Sequence, residues 1–232
     1  MGRRAHGAGD GLTAVRAFGR GAATGQGMIS STHKFIFIHI PKTGGNSVQE
    51  ALLPFADDEK IIKGEFGSFE RFNVRGPVTT HKHMSLQEYV DVLGNSLSEY
   101  KTICTLRDPL DRALSLYYNP RWILRGDVDA NTFDLSKFEQ MVRAASSAAQ
   151  SLSIGQDIQW PDFILWFDNL SQDFQQACRA LGLPEIELQR LNVGEDVAGL
   201  RETLKRDSRV IEIVRERFSA DYALIASLKA GR

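Results

Sequence analysis

The sequence predicts an α/β fold in which a central, mostly parallel sheet is flanked by helices on both faces. The first observation is a set of short apolar runs, FIFIHI at 35–40, KTICTL at 101–106 and FILWF at 163–167. Their β-branched and aromatic content is typical of buried parallel strands. The second observation is that segments with a helical spacing of apolar residues follow these runs, and such alternation is typical of this fold class.

The first part of the domain begins with the strand Phe35–Ile40, and SVQEALLPF at 47–55 is a predicted helix that ends at Pro54. Residues 56–75 are mixed in character and are interpreted as a loop with short extended pieces. GPVTTHKHMS at 76–85 predicts a second short strand that leads into two histidines.

Capping signals mark the next two helices. SLQEYVDVL at 85–93 begins with serine and carries Glu88 at the third helical position, which is the pattern of a capping box. Asp108 and Pro109 follow the strand over 101–106 and form a favourable cap and first residue for a helix.

The second part of the domain is less regular. Residues 119–156 are polar and irregular, with one predicted helix around 135–149. A strand within 160–170 leads to a helix at 171–184, which starts at a serine and stops at Gly-Leu-Pro. The stretch 197–228 has the pattern of two helices. No internal repeat and no convincing linker occurs, so the pattern indicates one domain.

The composition indicates that any anion-binding site must be a local feature. The formal net charge of the 232 residues is −1, which excludes a global attraction to nucleic acid or to an anionic membrane.

Residues 1–32 are predicted to be a disordered tail, and residues 33–232 a single domain. No signal peptide and no apolar run near the roughly 18 residues of a transmembrane segment occurs, so a cytoplasmic protein is expected. Cys104 and Cys178 are interpreted as buried free thiols.

Polar residues follow three of the predicted strands. The first strand ends in PKTGGNS, the second in HKH and the third in LRDP. In open α/β sheets, ligands bind beyond the carboxyl ends of the strands. If these strands are parallel neighbours, Lys42, His83 and Arg107 are delivered to one crevice.

PKTGGNS has the chemistry of an anion-binding loop. Adjacent glycines let the backbone approach a ligand closely, and the following helix N-terminus favours an anion. Thr43, Asn46 and Ser47 add side-chain donors, and Lys42 adds a mobile charge. The lysine precedes the glycines, so the phosphate-loop pattern GxxxxGKS or GxxxxGKT is not matched. An ordinary strand–turn–helix with a surface lysine is the alternative.

LRDPLDRALSLYY carries a second group of candidate anion ligands. Arg107 at a strand end can bind a phosphate bidentately, and Ser115 lies just over two helical turns further on. Asp108 and Arg112, by contrast, are interpreted as structural residues.

The THKHMS segment offers candidate proton acceptors. Alternation along an extended strand puts His81 and His83 on the same side. A histidine of near-neutral pKa is a natural general base for a hydroxyl group. A zinc pair is the competing interpretation, but no third or fourth ligand is spaced to complete a site. A purely structural role for the histidines also remains open.

HIPKTGGNS followed by TLRDPLDRALSLYY resembles the two nucleotide-binding signatures of sulfotransferases that use 3′-phosphoadenosine 5′-phosphosulfate (PAPS). The similarity is to the carbohydrate branch with heparan sulfate 2-O-sulfotransferases and uronyl sulfotransferases. HKHMSLQEY and FDNLSQDFQQACRALGLP also resemble family segments. The resemblance covers about residues 34–195 and implies a P-loop-like three-layer fold.

The resemblance also implies roles for individual residues. His83 is the base, with His81 supporting it, and Lys42 stabilises the charge on the departing phosphate. Arg107 and Ser115 hold the 3′-phosphate. The residues that grip the 5′-phosphosulfate are Lys42, Thr43, Gly44, Gly45, Asn46 and Ser47. The implied co-substrate is PAPS, the product is adenosine 3′,5′-bisphosphate, and no metal is required.

The implied partner is a hydroxyl-bearing acceptor, expected to be a saccharide and not a nucleic acid. Arg121, Trp122 and Arg125 are candidates for contact with an acidic sugar, although such a cluster is as often a surface patch. Two alternatives stand beside this hypothesis. One is a P-loop kinase, which the missing GKS or GKT and the missing magnesium aspartate disfavour. The other is a nucleotide-binding domain without catalysis. The oligomeric state is not predicted.

Overall fold

The computed structural model of the protein describes residues 28–66, 69–79, 81–189, 191 and 199–230. Its main sheet has four strands in the order β1–β2–β5–β8. These strands are β1 (Ile29–Ser30), β2 (Phe35–Ile38), β5 (Lys101–Leu106) and β8 (Phe163–Trp166). β1 is antiparallel to β2, whereas β2, β5 and β8 run parallel to one another. The prediction of an α/β fold with a mostly parallel sheet is confirmed.

The remaining strands form two antiparallel hairpins, β3 (Glu59–Phe66) with β4 (Phe69–Arg75), and β6 (Ser153–Ile154) with β7 (Asp157–Ile158). Short 3₁₀ turns cover Leu53–Phe55, Gly94–Glu99 and Phe167–Asn169. The α-helices are α1 (Gly45–Leu52), α2 (Leu86–Leu93), α3 (Pro109–Tyr117), α4 (Pro120–Leu124), α5 (Leu135–Ala144), α6 (Ala148–Ser151), α7 (Leu170–Ala180), α8 (Leu200–Leu204), α9 (Ser208–Arg217) and α10 (Ser219–Ala230).

The register of the parallel strands brings three loops to one edge of the sheet. Ile38 pairs with Cys104, and Leu106 pairs with Trp166, so the carboxyl ends of β2, β5 and β8 lie close together. The chain segments that leave these ends are therefore neighbours, which is the usual position for a ligand site in such sheets.

Each face of the sheet packs against a different set of helices, because successive side chains on a strand point to opposite faces. Ile36 and Ile38 pack with residues of α2, α6 and α10. Phe35 and Phe37 pack with residues of α1 and α7, and with Phe72 of the first hairpin. A separate apolar cluster joins α3, α5 and α9. The sheet is thus covered by helices on both faces, as predicted.

Both capping predictions are confirmed. Ser85 and Glu88 form a complete capping box at the start of α2, and Asp108 accepts hydrogen bonds from the amides of Leu110 and Asp111 at the start of α3. Cys104 and Cys178 are buried free thiols, also as predicted.

The structure corrects several predicted elements. Residues 59–66 and 69–75 form a pair of antiparallel strands rather than a loop with short extended pieces. Residues 76–79 are not a strand, since the described backbone there is irregular. The irregular stretch 119–156 contains α4 and α6 besides the predicted helix. The described part of 197–228 contains α8, α9 and α10 instead of two helices, since Asp207 caps a new helix before Ser208.

The folded unit starts earlier than the predicted boundary at residue 33. Met28 and Ile29 are buried, and Ser30 belongs to β1. Of the predicted tail, residues 1–27 lie outside the described residues. Within the part of the chain that the structure describes, no helix combines the length and the apolarity that crossing a bilayer demands.

Candidate functional site

A cleft of about 960 Å³ lies at the sheet edge where β2, β5 and β8 end. Its lining includes the turn after β2 with the start of α1, the turn before α2, the α3 region and the turn between β8 and α7. Residues of β4, of the α4 region, of the segment 188–191 and of α8 complete it. The predicted site residues on its lining are Lys42, Gly44, Gly45, Asn46, Ser47, His81, His83, Arg107 and Ser115. The predicted convergence of the lysine loop, the histidine segment and the arginine–serine helix at one cleft is observed.

The turn from β2 into α1 exposes a helix N-terminus that no side chain caps. Gly44 is the N-cap residue with φ +87°, and it makes no side-chain cap hydrogen bond. Lys42 also has a positive φ, +68°. Because the first amides of a helix have no intrahelical partner, an uncapped start attracts an anion. α2 and α3 are both capped by their own side chains, so α1 differs from them in this respect.

The two glycines allow close packing of the loop as well as access to a ligand. A Cβ on Gly45 would lie 2.5 Å from Cδ2 of His39. A Cβ on Gly44 would lie 2.8 Å from Cδ2 of Leu170, where its positive φ also disfavours a side chain. The loop is therefore held between the imidazole of His39 and the start of α7.

Replacing Gly45 with alanine is expected to destabilise the protein by about 1–3 kcal/mol, because the new methyl group overlaps the buried His39 ring. Chemical denaturation of both proteins measures this change. Replacing His39 with alanine in the same chain removes the overlap, so the double variant should lose less stability than the two single changes summed. If the loss of stability in the double variant equals the sum of the two single losses, the predicted overlap between residue 45 and the His39 ring is wrong.

Lys42 is a partly buried cation in a basic neighbourhood. Among the described residues its ammonium group has no hydrogen-bond or ion-pair partner. Desolvation, followed by repulsion from Arg107 and Arg201, lowers the pKa of Lys42 to about 8. An anionic ligand beside Lys42 would relieve both effects.

Arg107 follows β5, and its Cζ lies over the ring of Phe167 at 3.9 Å from the centroid. Its Nε is buried without a hydrogen-bond partner. Burial lowers the pKa of Arg107 and repulsion from Arg201 adds to this effect, whereas the carboxylates of Asp111, Asp168 and Asp108 oppose it. Ser115, on α3, faces the same cleft. The stacked guanidinium group is thus oriented by an aromatic ring and keeps donors for a ligand.

His83 is fixed in one tautomer. Its Nδ1 donates to the backbone carbonyl of His39 at 2.9 Å, and the two rings meet edge to face with centroids 4.6 Å apart. Donation from Nδ1 leaves Nε2 as a free lone pair on a ring that lines the cleft. His83 keeps an exposed surface in the cleft, but desolvation by the surrounding residues, together with the nearby charges of Lys82, His81 and Arg112, lowers its pKa to about 4, below the near-neutral value expected from the sequence. The imidazole is therefore neutral at physiological pH.

His81 and His83 do not act as a contiguous pair. Nε2 of His81 lies 2.5 Å from Oε1 of Glu88, and its half-exposed ring is at the rim of the cleft. The predicted extended strand is wrong, because the segment is a turn, but both histidines line the same cleft.

Thr43 differs from the other predicted ligands. Its buried Oγ1 donates to the carbonyl of Ile40 at 2.6 Å and lies 2.5 Å from Oγ1 of Thr105. The side chain thus ties the loop to β5 and does not line the cleft. Asn46 and Ser47 do line it, and Asn46 accepts a hydrogen bond of 2.6 Å from Lys82.

The interpretation of Arg112 as structural agrees with its contacts. It forms an ion pair of 3.1 Å with Asp221 and donates to the carbonyls of Pro41 and Ser146. Arg125, a candidate for contact with an acceptor, pairs with Asp127 at 3.2 Å and is not part of the cleft lining, whereas Arg121 is.

Several residues of the cleft escaped sequence analysis. His39, Lys82 and Arg201 line it, as does the turn 167–172 after β8. That turn could have been found, because it follows a predicted parallel strand. Arg201 carries no such signal, since α8 is far away in sequence and reaches the cleft only through the packing of the fold.

The lining of the cleft is strongly basic although the whole chain is nearly neutral. Its charged residues in the described part of the chain are Lys42, Lys82, Arg107, Arg121, Arg201 and Asp168. Such a concentration of one charge raises the local density of an oppositely charged ligand. The described residues include no group of three or more histidine, cysteine or acidic side chains that could hold a metal.

Comparison with known proteins identifies one family. Residues 26–224 match the model of the sulfotransferase family, which is most of the chain. No curated protein and no solved structure matches the chain significantly.

Proposed function

We propose a donor and a mechanism for this chain, which belongs to the sulfotransferase family. The family shows that the reaction is transfer of a sulfuryl group. We propose that the donor is PAPS and that the acceptor group is a hydroxyl. The proposed enzyme is a PAPS-dependent O-sulfotransferase with a P-loop-like three-layer fold.

One observation carries this proposal: Lys42 and Arg107 share a cleft, and neither has a hydrogen-bond or ion-pair partner among the described residues. Both have lowered pKa values because they are desolvated and repel other cations. Leaving buried cations unpaired is costly, so their arrangement favours a ligand with negative groups at more than one point. PAPS has such groups at its 5′ and 3′ positions.

The uncapped start of α1 supports an assignment of the two ends of the donor. We assign the 5′-phosphosulfate to the amides and side chains of Gly44–Ser47, with Lys42 beside the bridging oxygen. Thr43 contributes indirectly by holding the loop on β5. We assign the 3′-phosphate to Arg107 and Ser115, since both line the cleft and a guanidinium group can bind a phosphate bidentately.

In the proposed reaction the acceptor hydroxyl oxygen attacks sulfur and forms a new S–O bond. The bond between sulfur and the bridging oxygen breaks, and its electron pair leaves on the 5′-phosphate. The hydroxyl proton moves to Nε2 of His83, and Lys42 stabilises the charge on the leaving oxygen. The products are a sulfate ester and adenosine 3′,5′-bisphosphate. His81 supports His83 from the rim without touching the reacting atoms.

A saccharide is the proposed acceptor. The polar and basic cleft, including Arg121 and Lys82, suits a hydroxyl-rich and acidic molecule. The resemblance of the loop signatures to the carbohydrate branch also favours this class.

Replacing Arg107 with alanine is expected to weaken the binding of adenosine 3′,5′-bisphosphate about 10- to 100-fold, which is the loss of roughly 1.5–3 kcal/mol for a hydrogen bond to a charged group. Isothermal titration measures the affinity of each protein. Arg125→Ala is the matched control, because Arg125 lies outside the cleft lining and pairs with Asp127.

The proposed donor fails if the unaltered protein shows no binding of this nucleotide at millimolar concentration, or if both arginine variants bind it equally well. Magnesium-dependent turnover of ATP would instead indicate a kinase.

A further inference from the structure

A second cavity, which we call the side chamber, lies beside the cleft and has a volume of about 330 Å³. Its walls come from the turn after β2, from α3 and α4, from the end of α5 and from Phe218 after α9. The large apolar residues on its lining are Leu116, Trp122, Met141 and Phe218.

The side chamber borders the proposed reaction centre. Pro41, Lys42 and Leu116 line both the cleft and the side chamber. Lys42 is the residue to which we assign the bridging oxygen of the donor. A molecule whose hydroxyl group reaches the sulfuryl group at Lys42 can therefore extend another part of itself into the side chamber.

The chemistry of the side chamber differs from that of the cleft. Arg112 is on its lining, but its guanidinium group is already used by Asp221 and by the carbonyls of Pro41 and Ser146. Ala113, Ala144 and Ala145 extend the apolar wall. Such a surface offers little to phosphate or to the hydroxyl groups of a sugar, whereas it favours the burial of an apolar group.

The volume sets the size of the group that fits. A cavity of about 150 Å³ holds one benzene molecule, and the side chamber has about twice that volume. One or two fused aromatic rings, or a short branched alkyl group, would fill it.

We infer that the side chamber binds an apolar substituent, an aryl or short alkyl group, that is carried by the sulfate acceptor. This inference rests on the proposed function, because that function places the transferred group at Lys42. The acceptor is then an amphipathic molecule, with its hydroxyl group in the basic cleft and its apolar group in the side chamber, rather than a plain polysaccharide.

Ala144→Trp tests the inference, because this exposed alanine at the end of α5 can take a large side chain that fills the side chamber. Gln140→Trp is the matched control on the same helix, since Gln140 is exposed and is not on the chamber lining. Circular dichroism and thermal unfolding establish that both variants are folded. The probe is 2-naphthol, whose binding is measured by isothermal titration without any donor.

The expected result is that 2-naphthol binds the unaltered protein and Gln140→Trp equally, and binds Ala144→Trp at least tenfold more weakly. Equal affinity for the two variants, or no binding to the unaltered protein at millimolar probe, would overturn the inference. Met141→Ala, which enlarges the side chamber, gives an independent readout, because it should change the preference between one-ring and two-ring probes. If Met141→Ala has the same preference between the two probes as the unaltered protein, the inference that they bind in the side chamber is also contradicted.

A second measurement separates this inference from the proposed function. With PAPS as donor, Ala144→Trp should raise KM at least tenfold for 4-nitrophenyl β-D-glucuronide and leave KM for methyl β-D-glucuronide unchanged. The affinity for adenosine 3′,5′-bisphosphate should be the same in all variants. Blocked 2-naphthol binding in a protein that does not bind the nucleotide would support the side chamber and overturn the proposed donor. Equal KM changes for both glycosides would overturn the assignment of the apolar group to the acceptor.

Discussion

Replacing Lys42 with alanine is expected to lower kcat/KM for sulfuryl transfer about 100- to 1,000-fold, the usual effect of removing one group that stabilises charge in a transition state. The ammonium group lies in the cleft without a described partner, and its pKa of about 8 leaves it cationic at neutral pH. Without it, the negative charge on the leaving phosphate would face only the amides of α1. A transfer assay with labelled PAPS measures the change.

Lys34→Ala is the matched control for this variant. Lys34 also has a positive φ, +53°, but it is exposed and pairs with Glu99 at 2.9 Å. Both replacements put alanine into a left-handed backbone, so any general effect of that conformation appears in both. Full activity of Lys42→Ala, or an equal loss in Lys34→Ala, would contradict the role of the Lys42 charge.

Glycine at position 42 separates the amine from the backbone. Glycine adopts a positive φ without steric cost, so Lys42→Gly should be more stable than Lys42→Ala by about 1 kcal/mol. It should nevertheless be as inactive as Lys42→Ala, because the ammonium group is missing in both. Recovery of transfer in the glycine variant would show that the loop conformation, and not the charge, limits the reaction.

Replacing His83 with alanine is expected to lower kcat about 100- to 10,000-fold and to leave the affinity for adenosine 3′,5′-bisphosphate unchanged. The reason is that Nδ1 is held by the carbonyl of His39, so that the imidazole presents Nε2 to the acceptor. Titration with the nucleotide and single-turnover transfer measure the two quantities separately. His81→Ala is the comparison, and its smaller effect should reflect the loss of its contact with Glu88.

The pH dependence gives a second test of this role. A general base must be neutral, and the folded-state pKa of His83 is about 4. The rate of transfer should therefore be maintained above that pH and lost as pH falls through about 4.

Lys42 must be cationic, so kcat/KM should also fall as pH rises through about 8. Bound PAPS favours the charged ammonium group, which should move this alkaline limit of kcat upward. An acidic limit that persists in His83→Ala would exclude His83 as its origin.

Much of the sheet and part of the site could be predicted from sequence, because their signals are local. FIFIHI, KTICTL and FILWF contain buried parallel strands, and the caps at Ser85 and Asp108 are recognisable within a few residues. The lysine loop and Arg107 follow directly from the ends of neighbouring strands. Their meeting in one cleft needed only the parallel order of β2 and β5.

Features that depend on distant contacts could not be predicted. The orientation of His83 comes from a carbonyl 44 positions away in sequence. Thr43 has a hydroxyl group that could bind a ligand, but this group contacts the hydroxyl of Thr105 on β5 and holds the loop against the sheet. The hairpin of β3 and β4 is a different case, because Gly-Ser at 67–68 between two runs of strand-like residues is a local hairpin signal that could have been used. The packing of Phe72 and Val74 on the core, by contrast, is not visible in the sequence.

The buried start of the fold determines how far the chain can be shortened. The amide of Met28 donates to the hydroxyl of Tyr89 at 2.8 Å, its carbonyl accepts from Phe37 at 3.0 Å, and the amide of Ile29 donates to Asp58 at 2.7 Å. A truncation before Met28 keeps all three bonds. A truncation at residue 33 would expose the edge of β2 and leave the hydroxyl of Tyr89 and a buried carboxylate without these backbone partners. Aggregation of the shorter protein would then be caused by the exposed edge of β2, and not by the loss of the residues before Met28.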